Sequence, residues 1–415
     1  MQRRVVVTGL GVVSPVGNDV ATTWQSLLEG RSGAAPITKF DSTNFPVKFA
    51  AEVKGFDPLQ FMDRKEAKRA DLYAQYAVAA SVQAMRDAGL ETLDSVDPNR
   101  VGVIVGSGIG GLKSFEEQHD QYRDRGPSKI SPFFIPMFIA DIAAGLVSMR
   151  FGAKGPNYAT VSACSTSAHA IGDAFRSVKY GDCDVCITGG AEATVTPMAI
   201  GGFANMKALS ERNDSPSTAS RPFDATRDGF VMGEGGAIVI LEELGHATRR
   251  GARIYGEIVG YGATGDAYHL TGQPEGHEGL QRAMRRALED AGLRPEDVDY
   301  VNAHGTSTPL NDSNEAQAIA KVFGPAAKNI NVSSTKSATG HMLGAAGAVE
   351  MIASVLAIRD QIVPPTINYQ TPDPACGDLN FTPNAPQRRV VRAALSNSAG
   401  FGGHNVSLAV RRFAQ

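Results

Sequence analysis

Cysteine is scarce in this chain: Cys164, Cys183, Cys186 and Cys376 are the only four in 415 residues. Four are too few for a disulfide framework, so a reducing compartment, the cytoplasm, is expected. Cys183 and Cys186 have Cys-x-x-Cys spacing but lie in a strand-like run with no second ligand pair, which reads as burial; no metal and no cofactor are expected. An excess of either charge is also lacking. Lys and Arg number 40 against 43 Asp and Glu, a net charge of -3, so nothing in the balance attracts nucleic acid or an anionic membrane, and an acidic partner must be met by a local patch. No apolar run reaches the roughly 18 residues that span a bilayer. The N-terminus, Met1-Gln2-Arg3-Arg4, passes directly into the strand-like Val5-Val6-Val7, without the apolar core of a signal segment. No stretch rich in Pro, Ser or charge marks a flexible linker.

What is abundant is glycine, 45 residues, or about 11% against a usual share near 7%. Many turns must therefore need positive φ or close backbone approach. Apolar strands alternate with helical patterns throughout, including a helix expected over Asp63 to Asp87 and a strand over Val101 to Val105, which indicates an α/β fold. Gly9-Leu10-Gly11 after the first strand suggests a dinucleotide loop, but Val12-Val13-Ser14-Pro15 follows in place of a third glycine opening a helix. The chain also repeats itself. Ala84-Met85-Arg86-Asp87-Ala88-Gly89-Leu90 returns as Ala287-Leu288-Glu289-Asp290-Ala291-Gly292-Leu293, and Phe151-Gly152, Asn157 and Cys164 align with Phe323-Gly324, Asn329 and Lys336, each 172 residues on. Duplication of a βα unit within one body is implied, with halves 1–250 and 251–415 and with Cys164 and Lys336 as counterparts facing one cavity.

Thr160-Val161-Ser162-Ala163-Cys164-Ser165-Thr166-Ser167 sets a thiol where a strand runs into a helix. Unpaired N–H groups and the positive end of the helix dipole favour thiolate there. A lone cysteine is more often a small buried side chain, and a lone strand-end histidine is as often structural. Here, however, Asp299 to Asn302 delivers His304 into a Gly/Thr-rich loop, and Ser333 to Gly340 delivers His341. A thiol with two such histidines points to nucleophilic chemistry, and zinc is disfavoured because no close ligand spacing is present. Lys336 and Glu350, in the segment of His341, form a candidate ion pair that supports that histidine.

The chain resembles the elongating β-ketoacyl-acyl carrier protein synthases, most closely synthase II, over nearly its whole length. The residues that carry the resemblance are Ala163-Cys164-Ser165, Asn302 to Thr308, Lys336 with Thr339-Gly340-His341, Gly344 to Glu350, and Gly400-Phe401-Gly402-Gly403. It implies a thiolase-like fold, internally duplicated and layered, with two central mixed sheets. It also implies a ping-pong condensation: acyl transfer from acyl carrier protein to Cys164, then attack by the carbanion of decarboxylated malonyl-acyl carrier protein. His304 and His341 would hold the enolate, with Lys336 and Glu350 in support. Phe401 would serve as gate and oxyanion donor, and Thr306, Thr308, Ile109 and Phe203 would line the substrate path. A homodimer is implied, and the basic cluster Lys65, Lys68 and Arg69 is the candidate docking patch for the acidic carrier. Two departures from the family pattern, Ala399 in place of Phe and His404 in place of Thr, affect the gate. Polyketide-type ketosynthases share these motifs; the chain-length partner subunits lack the cysteine, and a Cys-His hydrolase would leave the second histidine and Lys336 without a task.

Overall fold

The computed structural model describes residues 3–414, so Met1 and Gln2 of the N-terminal reading lie outside the described residues. Ten strands form the main sheet: β1 (Val5–Val13), β2 (Val101–Gly106), β3 (Asn157–Tyr158), β4 (Val185–Glu192), β5 (Gly235–Glu243), β6 (Gly256–Gly265), β7 (Tyr300–Asn302), β8 (Asn331–Ser333), β9 (Ala393–Gly400) and β10 (His404–Arg411). Their order is β8-β7-β9-β10-β6-β1-β5-β4-β2-β3. The first and second five strands thus repeat one topology. In each, the first, last and fourth strands pair antiparallel, and the fourth, second and third pair parallel. The expected two mixed sheets are these two halves, continuous only where Val5–Val7 pairs with Gly256–Ile258.

Five helices cover them: α1 (Leu72–Asp87), α2 (Thr166–Tyr180), α3 (Glu278–Ala291), α4 (Pro309–Phe323) and α5 (Ala346–Asp360). Every residue of α5 from Ala346 to Ile358 is buried, the polar side chains of Glu350 and Ser354 included, the mark of a helix enclosed on every side. It packs on α2, and both touch strands of both halves, so this pair is the middle layer between them.

The outer helices explain the glycines that resembled a dinucleotide loop. A Cβ on Gly11 would lie 1.9 Å from the Ala80 carbonyl oxygen, and one on Gly262 would lie 1.9 Å from that of Ala283. Helix α1 rests on β1 as α3 rests on β6, backbone against backbone, and the repeated stretches start where Cβ atoms on Gly9 and Gly260 would lie 2.2 Å and 2.1 Å from the carbonyl oxygens of Ala84 and Ala287.

Two local expectations need correction. The helix expected over Asp63 to Asp87 is broken: Asp63 caps a single turn, Arg64–Ala67, and Asp71 caps α1 through the Tyr73 N–H. A second N-cap inside the run ends one helix and starts another. The 172-residue alignment holds at Gly152 and Gly324, which both end helices at positive φ, but fails further on. Cys164 is the middle of the 3₁₀ turn Ala163–Ser165 that opens α2, and the matching turn opening α5 is Leu343–Ala345. Ala163 and Leu343 share positive φ, 51° and 44°. The counterpart of Cys164 is therefore Gly344, and Lys336 belongs to a longer connection, residues 334–342, that the first half does not have.

A test follows from the glycine contacts. Gly262→Val should destabilise the fold by at least the ~1–3 kcal/mol typical of overpacking, seen as a lower denaturant midpoint. An unchanged midpoint would mean that α3 does not ride on the bare backbone of β6.

Candidate active site

Cys164 is buried in the turn between β3 and α2. Burial pushes its thiol up to about 12, with the Lys336 charge and the N–H groups of Phe401 and Cys164 pulling the other way and the Glu192 charge adding to the rise. This corrects the expectation from the helix end alone: the dipole favours thiolate, but desolvation outweighs it. The Phe401 N–H reaches the sulfur because the β9–β10 hairpin lies against the cysteine turn. Gly400 has no room for a Cβ, which would sit 2.7 Å from the Ser162 carbonyl oxygen, and the Ser165 hydroxyl donates to the His404 carbonyl at 2.8 Å. Two backbone donors thus converge on the Cys164 sulfur.

His304 follows β7, and its loop is held from beneath by α4. Glu315 accepts the N–H of His304 and of Gly305, each at 2.8 Å, and Asp312 accepts the Ser307 N–H. His341 is anchored through its backbone, its N–H donating to the Val231 carbonyl at 2.7 Å. The two rings stand 5.4 Å apart at 87°. Burial, then the Lys336 charge, holds both histidines well below the ordinary imidazole value, so both are neutral. Lys336 donates to Nδ1 of His304 at 3.4 Å, which places the His304 proton on Nε2 as a free donor. Among the described residues neither ring nitrogen of His341 has a hydrogen-bond partner although the residue is buried, as expected of a group waiting for a ligand.

Lys336 is 1% exposed and pairs with Glu350. Burial raises Glu350 to about 7 against the pull of Lys336. Lys336 hydrogen-bonds His304, whereas it acts on His341, the histidine that the sequence reading gave it, through its charge alone. Lys336 sits on its own short helix, Lys336–Thr339, ahead of His341, and Glu350 on α5.

Cys164, His304, His341, Thr306, Thr308, Phe203 and Phe401 all line one cavity of about 340 Å³, together with Ala399. The Thr306 and Thr308 hydroxyls are 2.9 Å apart. The Phe401 ring lies 6.2 Å from that of Phe203, so the loop residue expected to gate the cavity meets its apolar wall. Ile109 does not line the cavity; its N–H donates to Glu192 at 3.3 Å, and its side chain is 36% exposed. Lys65, Lys68 and Arg69 are exposed and off the cavity wall, and the Arg69 guanidinium stacks over Phe133 at 4.2 Å. The sequence reading missed Phe230, whose ring packs edge-on to His341 at 5.3 Å, Lys207 on the cavity wall, and the acidic residues beneath the His304 loop. The last had a signal, since Asp312 and Glu315 are one turn apart and in register with Ile319 and Phe323 on the buried side of the helix.

The family model described as "Beta-ketoacyl synthase, N-terminal domain" matches residues 2–247, and that described as "Beta-ketoacyl synthase, C-terminal domain" matches residues 255–370. The chain is 54% identical over 412 residues to the 3-oxoacyl-[acyl-carrier-protein] synthase 2 of Synechocystis sp., covering 99% of each. Among solved structures, a β-ketoacyl synthase from Burkholderia phymatum superposes with a TM-score of 0.93 at 36% identity over 100% of both chains. A type II polyketide ketosynthase in complex with its acyl-carrier protein superposes with a TM-score of 0.91, also at 36% identity and 100% coverage of both. These neighbours carry the layered, duplicated fold described above.

The height of the thiol makes a prediction. Because burial holds Cys164 near 12, its alkylation by iodoacetamide, followed by intact mass, should climb about tenfold per pH unit between pH 7 and 10. A plateau below pH 9 would mean that the resting nucleophile is already thiolate.

Proposed function

The chain belongs to the β-ketoacyl synthase family, and from that premise we propose that it is the synthase II-type condensing enzyme of fatty acid elongation, joining an acyl group to malonyl units carried on acyl carrier protein. The single observation that carries the reading is the cavity that joins a buried thiol, two backbone oxyanion donors and two neutral histidines. Polyketide-type ketosynthases share this constellation, but the 54% identity to a synthase 2, against 36% to the polyketide ketosynthase, favours fatty acid elongation.

In the first half-reaction the Cys164 sulfur attacks the acyl thioester carbon. The oxyanion is received by the N–H groups of Cys164 and Phe401, the carbon–sulfur bond to the carrier breaks, and the thiol proton leaves with the carrier's sulfur. With the thiol held near 12, attack and proton transfer are coupled and no free thiolate accumulates. In the second half-reaction the malonyl carbon–carboxylate bond breaks, carbon dioxide departs, and the electron pair moves to the thioester oxygen as an enolate. His304 Nε2 and His341 donate to that oxygen; they suit this role because they are neutral donors in a dry site. The enolate carbon then attacks the acyl-Cys164 carbonyl, and the sulfur leaves as a thiolate that takes up one proton from solvent to restore the thiol. Lys336 and Glu350 fix the His304 tautomer, Thr306 and Thr308 bind the malonyl and pantetheine portion, and Phe203 and Phe401 bound the acyl chain.

The domain division 1–250 and 251–415, a cytoplasmic location suited to four free thiols, and docking of the acidic carrier at Lys65, Lys68 and Arg69 are part of the proposal. Among the described residues no helix is long and apolar enough to cross a membrane. Homodimer formation is supported by the exposed apolar side chains concentrated in one segment, namely Ile130, Phe133, Ile135, Ile139, Met149, Tyr158 and Val161.

Cys164→Ala should abolish condensation while malonyl-carrier decarboxylation persists. His304→Ala or His341→Ala should still accept acyl groups on Cys164, scored by intact mass, but condense on the order of a hundredfold more slowly or worse. Substantial condensation by the cysteine variant would overturn the assignment. Reversing Lys65 and Lys68 to Glu should raise KM for acyl-carrier substrates, more at low ionic strength than at high, and spare a pantetheine thioester of the same chain. Equal losses with both substrate types would move the docking surface elsewhere.

A further inference from the structure

Glu192 closes β4 and is completely buried, yet no step above uses it. Its Oε1 accepts the Ser107 hydroxyl at 2.9 Å and the Ile109 N–H at 3.3 Å. Its Oε2 accepts the N–H groups of Gly108 at 2.9 Å and Gly344 at 3.0 Å. Three backbone donors and a hydroxyl on one carboxylate make a closed anion nest, and the nest needs its glycines: a Cβ on Gly108 or on Gly344 would lie 2.7 Å from Oε2.

The position of this nest is what gives it meaning. Gly344 is the counterpart of Cys164, in the 3₁₀ turn that opens α5. Glu192 ends β4 as Gly400 ends β9, and these strands hold the same place in the two halves. At the Cys164 turn the amides of Cys164 and Phe401 converge on the sulfur; at the matching Gly344 turn the amides of Gly344, Gly108 and Ile109 converge on the Glu192 carboxylate.

We propose that Glu192 is a positioning residue for the condensation, an internal carboxylate that fills the amide nest at the duplicate turn and thereby fixes the head of α5 relative to Cys164. The proposal rests on the reading of Cys164 as the nucleophile. Helix α5 bears Glu350, Glu350 pairs with Lys336, and Lys336 donates to His304, so the register of the malonyl-activating groups depends on how that helix begins. The same carboxylate acts on the thiol through space, since its negative charge opposes formation of a thiolate at Cys164. Burial lifts Glu192 itself to about 7, against the pull of its four donors.

These two actions have opposite signs in Glu192→Gln, which keeps the shape, removes the charge and sets an NH₂ group against N–H donors. In the full-length variant, iodoacetamide alkylation of Cys164 at pH 8 should run about tenfold faster, as for a thiol pKa lowered by about one unit. Condensation with malonyl-carrier substrate should meanwhile fall by at least about tenfold as the site loosens. Alkylation and condensation both unchanged, or both slowed in step with a lower melting temperature, would reduce Glu192 to a structural group and overturn the proposal. Should Glu192→Gln not fold, Glu192→Asp decides: it keeps the charge but withdraws it by one methylene, so alkylation should stay within about twofold of wild type while condensation falls. Wild-type condensation in that variant would overturn the proposal. Alkylation of the wild-type enzyme at Cys183, Cys186 or Cys376 in place of Cys164 would instead count against the nucleophile reading itself.

Discussion

Two helix N-termini meet at the centre of this molecule, and the closeness of that meeting sets everything around it. A Cβ on Gly347 would lie 2.9 Å from the Ala168 Cβ and 3.0 Å from its nitrogen, and the Ser167 hydroxyl accepts the Ala348 N–H at 3.0 Å. The start of α2 positions the thiol and the start of α5 positions the carboxylate that steadies Lys336. With both helices wrapped in sheet on either side, neither can slide without voids opening in a core packed at near-crystalline density. The chemistry is therefore set by backbone packing and not by flexible side chains reaching across a cleft.

Burial of that centre also decides its charge. A carboxylate and an ammonium so far from water persist only together, because removing either partner leaves a charge with no solvation. Lys336 and Glu350 form such a pair, and burial, with the positive end of that pair adding to it, keeps both imidazoles neutral. A histidine cation would bind the malonyl carboxylate tightly in the ground state, whereas a neutral donor favours the oxygen on which charge appears only as carbon dioxide leaves. Phe230, edge-on to His341, keeps that face apolar and adds to the same preference.

The reactive centre was legible in the sequence because each of Cys164, His304 and His341 stands at a strand end among glycines and hydroxyl residues, a local pattern that survives without three-dimensional information. The duplication was legible for the same reason, through Ala84 to Leu90 and Ala287 to Leu293. What misled was alignment across an insertion: Phe151-Gly152 and Phe323-Gly324 do correspond, but residues 334–342 shift the register before the nucleophile turn, so Lys336 looked like the partner of Cys164 when Gly344 is. The helix over Asp63 to Asp87 was drawn too long because Asp71 reads as one more polar surface residue until its side chain is seen capping the Tyr73 N–H. Glu192 and Phe230 left no trace, since their partners lie far away in sequence and come together only when the halves close.

Residues 334–342 have a meaning of their own for how such a protein arises. When a gene segment is doubled, the two copies begin with equal claims to activity, and any change that helps one can be accepted provided the shared framework stands. Here the five-stranded frameworks still match strand for strand, while one connection is long and supplies Lys336 and His341 and its twin, residues 159–162, is short. The longer connection behaves as a cassette: it carries reactive groups without altering the strands on either side. Divergence among descendants of this scaffold should therefore be concentrated in connections of this kind, with the sheets inherited almost unaltered.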